Sequence, residues 1–321
     1  MPDIMTTGPP CADLESLAAQ ANNYMARARA VSTVRAYQSD WHDFAQWAKA
    51  QQLESLPASP QTVALYLADR ASTLAASTLT RRLTSISRQH VRSGLSSPAS
   101  TRIPVVGDTL RGIKRTIGTA QQRKDPLLSA AIRTMIAASP QTLGGLRDRT
   151  LLLVGFATGS RRSELAALTV ENVNFCPEGV TLHIARSKTD QTGAGRTIGV
   201  VRGREEATCP VRTLQQWLAE TKIISGPLFR GVDRHGHVSA RGLNSGSVAY
   251  ILKQAARRAG MRVESLGGHS LRAGCVTECA SNGVPEYVIM RQTGHTSRQM
   301  LDRYIRMGTL FTHNASAGLG I

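Results

Sequence analysis

Acidic residues are scarce in this sequence. Against 39 lysines and arginines, the 321 residues hold only 22 aspartates and glutamates, for a formal net charge of +17. Between Ser77 and Lys124 the shortage is acute: ten basic residues share the segment with one acid, Asp108. A folded chain so charged carries a strong positive field and calls for a polyanionic partner. Long apolar runs are also missing. The longest, Leu151 to Ala157, is broken by Gly155 and falls far short of the roughly 20 residues of a helical membrane span, so no membrane partner is expected. The five cysteines (Cys11, Cys176, Cys209, Cys275 and Cys279) are odd in number and lack C-x-x-C spacing, which excludes a disulfide framework. Cys275 and Cys279 lie one helical turn apart with no His or Cys at zinc-site spacing, so they read as small core residues. The first residues carry acids and prolines where a secretory signal would need basic residues and an apolar core, so a cytoplasmic location is expected. A hydrophobic fraction of 41% is ordinary for a globular chain and argues against a disordered basic tail.

Residues 1–12 read as flexible, with Pro2, Pro9 and Pro10 opposing regular structure. From 13 to 118 the periodicity is helical only. A segment from Leu14 to Ala28 precedes Ser32, an expected N-cap for a helix through Lys49 whose Val34, Tyr37, Trp41, Phe44 and Trp47 recur at three- and four-residue steps. Ser59-Pro60 supplies an N-cap and first helical residue for a helix to Arg70. A third helix, Ser77 to Ser93, sets Leu79, Leu83, Ile86 and His90 against Thr78, Arg81, Arg82, Ser85, Arg88, Gln89 and Arg92. A fourth, from about Val106 to Ile117, sets Leu110, Ile113 and Ile117 against Arg111, Lys114 and Arg115. Charge runs are usually only solvated surface. Two successive helices basic on the face opposite their apolar stripe read instead as a footprint for a phosphate backbone, with the Arg, Gln and Ser mixture suited to base edges.

The polar stretch 119–126 ends in a proline and reads as a linker. From 127 to 306 the pattern is α+β: helices near Ser129–Ala138 and Leu146–Ala157, then Val180, Leu182 and Ile184 alternating with polar residues, and a return strand holding Ile198, Val200 and Val201. Helices follow at Val211–Glu220, Ser245–Ala259, His269–Ser281, Glu286–Gln292 and Ser297–Arg306. The fold class is therefore mostly α: a helical N-terminal domain and an α+β domain with a small antiparallel β-hairpin.

Four segments of the second domain hold chemistry-bearing residues: ATGSRRSELAALTVENV (157–173), ARSKTDQTGAG (185–195), GGHSLRAG (267–274) and TGHTSRQMLDRYIR (293–306). Singly, Arg161 beside Glu164 is an ordinary surface ion pair, Lys188 a solvated turn residue and Tyr304 a half-buried core residue. Their spacing argues otherwise. His269 and Arg272 share a helix face behind Gly267-Gly268, which would let a phosphate approach the helix start. His295 and Tyr304 are nine residues apart, about 180° on one helix, so the chain must break between them, at Gly294 with Thr296 or Ser297 as a new cap. The loop pair His235 and His237 reads as a solvent turn rather than a metal site.

The ordered set TG-x-R-x-S-E-L, a hairpin lysine, H-x-x-R, and GH followed nine residues later by Tyr resembles the tyrosine recombinase (phage integrase) family over about residues 150–306. The N-terminal helices resemble, with less specific motifs, that family's SAM-like core-binding domain, as in its simple two-domain Cre-like and Xer-like members; no room is left for an arm-binding domain ahead of it. The resemblance implies a C-shaped clamp on double-stranded DNA and strand cleavage and rejoining without metal, ATP or other cofactor. It assigns Tyr304 as nucleophile forming a 3′-phosphotyrosyl link, Arg161 and Arg272 as a phosphate clamp assisted by His295, His269 as base or relay, Lys188 as proton donor to the leaving 5′-oxygen and Glu164 as support. Arg162 directly follows Arg161, so alignment to the motif rather than uniqueness selects between them. Ser160 stands where the family more often has a bulky apolar residue. The resemblance further implies a dimer on each recombination site and a tetramer in synapsis, with the tail 307–321 packing on a neighbouring protomer. Relaxation of DNA as in type IB topoisomerases, or DNA binding with an idle site, are the alternative activities.

Overall fold

In the computed structural model, residues 14–120, 124–187, 190, 193–308, 316 and 319 are described. They form two units, 1–121 and 122–321. In the first, Ser59 accepts a hydrogen bond from the Thr62 backbone N–H and Pro60 occupies the first helical position, as the sequence implies. The helices are α1 (Leu14–Arg27), α2 (Val31–Ala50), α3 (Pro60–Arg70), α4 (Ala76–Arg92) and α5 (Pro104–Ile117). Ser32 is not a cap: α2 begins at Val31 behind Ala30, which makes no side-chain cap bond. The start of α5 lies two residues earlier than expected because Pro104, its φ already fixed, opens the helix.

The core of this unit gathers Phe44, Trp47, Tyr66, Leu67, Leu79, Leu83, Ile86, Val106 and Leu110. Phe44 meets Tyr66 edge to face at 5.0 Å. His90 is wholly buried, its Nε2 accepting the Ala58 N–H and its Nδ1 donating to the Ile86 carbonyl, which ties the end of α4 to the approach to α3. Asp40 is an unexpected core member. It sits buried on the inner side of α2, and Arg81 from α4 grips its two oxygens at 2.7 and 2.9 Å. Ser85, expected on the cationic face, is also buried and donates to the Tyr37 carbonyl. The polar surface of α4 is narrower than its sequence pattern suggests.

The second unit opens with α6 (Ser129–Ala137), α7 (Leu143–Thr158) and α8 (Arg162–Ala167). It continues through β1 (Val173–Cys176), β2 (Gly179–Ile184), β3 (Arg196–Val201) and α9 (Pro210–Thr221), then β4 (Arg230–Val232) and β5 (Val238–Gly242). It ends with α10 (Ser245–Arg258), α11 (Ser270–Ser281), α12 (Glu286–Thr293) and α13 (Arg298–Gly308). The expected hairpin is β2–β3, with Leu182 opposite Ile198 and Val180 opposite Val200. These inward residues are buried and Val201 is turned out, as period-two alternation requires. The sheet has a third strand that the sequence reading lacks, β1, and β4–β5 form a second small sheet. Trp217 of α9 anchors the core against α7 and donates its indole N–H to the Leu228 carbonyl. No described helix is long and apolar enough to cross a membrane.

Candidate active site

The end of α7 is where the site begins. Gly159 turns left-handed there (φ 57°), and a Cβ would come within 2.6 Å of Thr293 and 3.2 Å of Cys275 Sγ. Only a glycine lets three segments, the ends of α7 and α12 and the middle of α11, approach so closely. Across this junction Arg272 is buried on α11, its Nη1 donating to the carbonyls of Gly159 and Thr293. Its Nη2 is buried and finds no hydrogen-bond acceptor among the described residues. A buried guanidinium held by neutral carbonyls, with a donor left over, has the chemistry to bind an anion.

Arg161 caps α8, and Glu164 reaches back to it. One carboxylate oxygen accepts the Arg161 backbone N–H at 3.0 Å and the other accepts its Nη1 at 2.6 Å. Arg196, the first residue of β3, donates to Glu164 Oε2 at 3.0 Å. Burial by itself would push Glu164 up, but the hydrogen bonds from Arg161 and the charge of Arg196 outweigh it and hold the carboxyl below its ordinary range. Three guanidiniums thus gather around one buried carboxylate. Burial, then the charges of Arg161 and Arg196, lower Arg272 to about 10, opposed by Glu164 and Tyr304.

His295 lies just past the left-handed Gly294 that ends α12. Burial and the charges of Arg272, Arg161 and Arg196 depress it to about 3, so its imidazole is neutral near pH 7. Thr293 donates its hydroxyl to the Ile289 carbonyl, so at 2.7 Å His295 Nδ1 is the donor to that hydroxyl oxygen and Nε2 is left as an acceptor. The chain break expected at Gly294 is present, and α13 starts at Arg298. Leu301 of α13 is fully buried against Val276, Ala280 and Ile289, with Tyr304 and Ile305 packed on the same cluster. Helix α13 therefore docks on α11 of its own chain, and Tyr304 falls within electrostatic reach of Arg272.

Arg161 turns into the cluster, whereas Arg162 is exposed with its stem laid on Gly268, where a Cβ would meet its Cδ at 2.6 Å. The glycine pair before α11 is therefore covered in part by side chains: Lys124 lies on Gly267 as Arg162 lies on Gly268. His269 is the exposed N-cap of α11, one turn before Arg272. Ser160 is buried, and its hydroxyl has no partner among the described residues. Lys188 and the tail beyond Gly308, apart from Ser316 and Leu319, lie outside the described residues. Asp190 folds the base of that loop by accepting the backbone N–H groups of Gly193, Ala194 and Gly195. In the N-terminal unit, Arg82 bonds to Asp43 and Tyr66, Arg81 is held by Asp40, and Arg111 pairs with Asp108. Arg88 and Arg92 line an open cleft with Arg29 and Tyr37, next to half-buried Gln89, and Arg115 is exposed beside half-exposed Lys114. Arg196 and Arg29 are additions that the sequence reading lacks; a basic residue directly after Gly195, at a strand start, is the only signal for the first.

Residues 127–309, which contain every member of this cluster, match the model of the phage integrase family, and residues 22–90 match the phage integrase N-terminal SAM-like domain. The chain belongs to the phage integrase family. One relative in the family, an integrase/recombinase xerD homolog of Selenomonas ruminantium, is 37% identical over 305 residues, covering 94% of this chain and 89% of its own. The recombinase cre of Escherichia phage P1 is 25% identical, with 82% of this chain and 80% of that protein covered. Among solved structures, a lambda integrase dimer bound to a core site shares the fold at a TM-score of 0.57 and 16% identity, covering 91% of this chain and 95% of that one.

Proposed function

We propose that this chain is a site-specific DNA recombinase that cuts and rejoins strands through Tyr304. The observation that carries the reading is the buried Arg272, with its spare Nη2 donor, in a cluster of three guanidiniums to which α13 brings a tyrosine. Phosphoryl transfer concentrates negative charge on the non-bridging oxygens, and Arg161 and Arg272 would hold those oxygens with preorganised charged hydrogen bonds. The Tyr304 phenolate oxygen attacks phosphorus, the bond to the 5′-oxygen breaks, and the 3′-phosphate stays on the tyrosine. Lys188 gives its proton to the leaving oxygen, and His269 takes or relays the phenol proton. His295, neutral with Nε2 as acceptor, donates to a phosphate oxygen only after taking up a proton that the bound phosphate stabilises. Rejoining is the same step reversed, with the free 5′-hydroxyl as nucleophile, so no metal, ATP or other cofactor enters it.

Strand exchange between two duplexes needs four active subunits, hence a dimer on each DNA site and a tetramer in synapsis, in the cytoplasm with the nucleoid. The tail from 307 would couple neighbouring protomers. Arg81, Arg82, Arg88, Gln89, Arg92, Arg111, Lys114 and Arg115 are the DNA-contacting set of the N-terminal unit, with the exposed Arg92 and Arg115 the most available. Nicked suicide DNA bearing the target site tests the reading. A covalent adduct that disappears in Tyr304→Phe supports it. Tight binding without adduct indicates an idle site, and relaxation of any plasmid regardless of sequence indicates a topoisomerase.

A further inference from the structure

We propose that Arg196 is a positioning residue of the cleavage site, holding the Glu164–Arg161 pair and the Thr293–His295 turn in one register with the start of β3. The proposal rests on the strand-cleavage reading above. Its side chain is largely buried and makes two kinds of contact. Nη2 donates to Glu164 Oε2, the oxygen that also accepts the Arg161 backbone N–H. The guanidinium plane lies on Gly294, where a Cβ would come within 2.5 Å of Nη1 and 2.7 Å of Cζ. That glycine ends α12 in the left-handed conformation, between Thr293, whose carbonyl holds Arg272, and His295.

The consequence for Arg161 is one of donor counting. A free carboxylate takes an arginine in a two-pronged grip that uses both of its oxygens. Here Arg196 occupies Oε2, and Arg161 reaches Glu164 through a single side-chain nitrogen, Nη1. The remaining donors of the Arg161 guanidinium stay available to a phosphate. Without Arg196, Arg161 would close on both oxygens and turn its fork away from the substrate.

Single-turnover adduct formation on suicide DNA, with DNA affinity measured in parallel, tests this. Arg196→Gln is expected to slow adduct formation at saturating DNA by about tenfold or more, with affinity changed less than about threefold. Because the effect runs through Glu164, the double variant of Arg196→Gln with Glu164→Gln should be no slower than the slower single variant. Arg196→Lys keeps the charge and the reach to Glu164 and should recover most of the rate; should Arg196→Gln fail to fold, this variant decides. The proposal is overturned by a folded Arg196→Gln within twofold of the parent, by costs of the two single changes that multiply, or by a folded Arg196→Lys as inactive as Tyr304→Phe. A parent protein that forms no adduct sinks the cleavage reading itself, a separate result.

Discussion

Replacing Glu164 by glutamine keeps the shape of the side chain and removes the one negative charge among Arg161, Arg196 and Arg272. The carboxylate is almost fully buried and accepts three hydrogen bonds, two of them from guanidiniums. An amide has one oxygen, so one of the two positions must present N–H groups to an arginine donor. Removing one partner of a buried ion pair costs about 3 to 5 kcal/mol, and the oxygen that glutamine retains sets the expectation at the lower end, about 3 kcal/mol. At about 2 to 4 °C per kcal/mol for a unit of this size, the transition assigned to residues 122–321 should fall by about 6 to 12 °C. The pH dependence carries the same signature. Glu164 titrates below its ordinary value in the folded state, so its contribution is present above the unfolded carboxylate pKa and is lost as pH falls through the folded one. The parent should therefore lose stability steeply on acidification, and the variant should lose less over that window. Calorimetry on both proteins from pH 7 to pH 3 measures this. A variant that melts within a degree of the parent at pH 7, or above it, refutes the picture of a charge held by two arginines.

Further outcomes follow from particular contacts. Gly274→Ala gains about 1 kcal/mol of helix propensity within α11 but sets a Cβ 1.8 Å from the Leu127 carbonyl oxygen, which is backbone; a net loss of at least about 2 kcal/mol is expected in urea unfolding, and a gain contradicts the packing. His295, at about 3, should show no imidazole titration by NMR between pH 8 and pH 5 in the DNA-free protein; a midpoint near 6.5 removes the three-arginine field. Because that pKa is depressed on folding, His295 also makes stability fall as pH drops from about 6.5 towards 3, and His295→Gln should flatten this part of the curve. Arg88→Ala and Arg92→Ala should each lower the slope of log affinity against log salt by about one, and unchanged slopes place the DNA elsewhere.

Helical period and capping residues make most of the fold legible in the sequence. Ser59-Pro60 and the alternation from Val180 to Ile184 are local signals, and local signals survive into structure. What is not legible depends on partners distant in the chain. Asp40 looks like a polar interruption on α2 until Arg81, 41 residues later, is seen to neutralise it. Arg196 looks like an ordinary strand-end arginine until Glu164, 32 residues earlier, is placed beneath it. Strand β1 is four residues long and lacks clear alternation, so only its pairing with β2 defines it. The motif order picks out Arg161 over Arg162, but the reason is spatial: one guanidinium meets Glu164, and the other stem covers Gly268.

The most direct measurement is the chemical identity of the trapped adduct. After reaction with suicide DNA and protease digestion, mass spectrometry should find a nucleotide joined through its 3′-phosphate to the peptide containing Tyr304, with the opposite end carrying a free 5′-hydroxyl. A link to any other residue, or through a 5′-phosphate, would contradict the account.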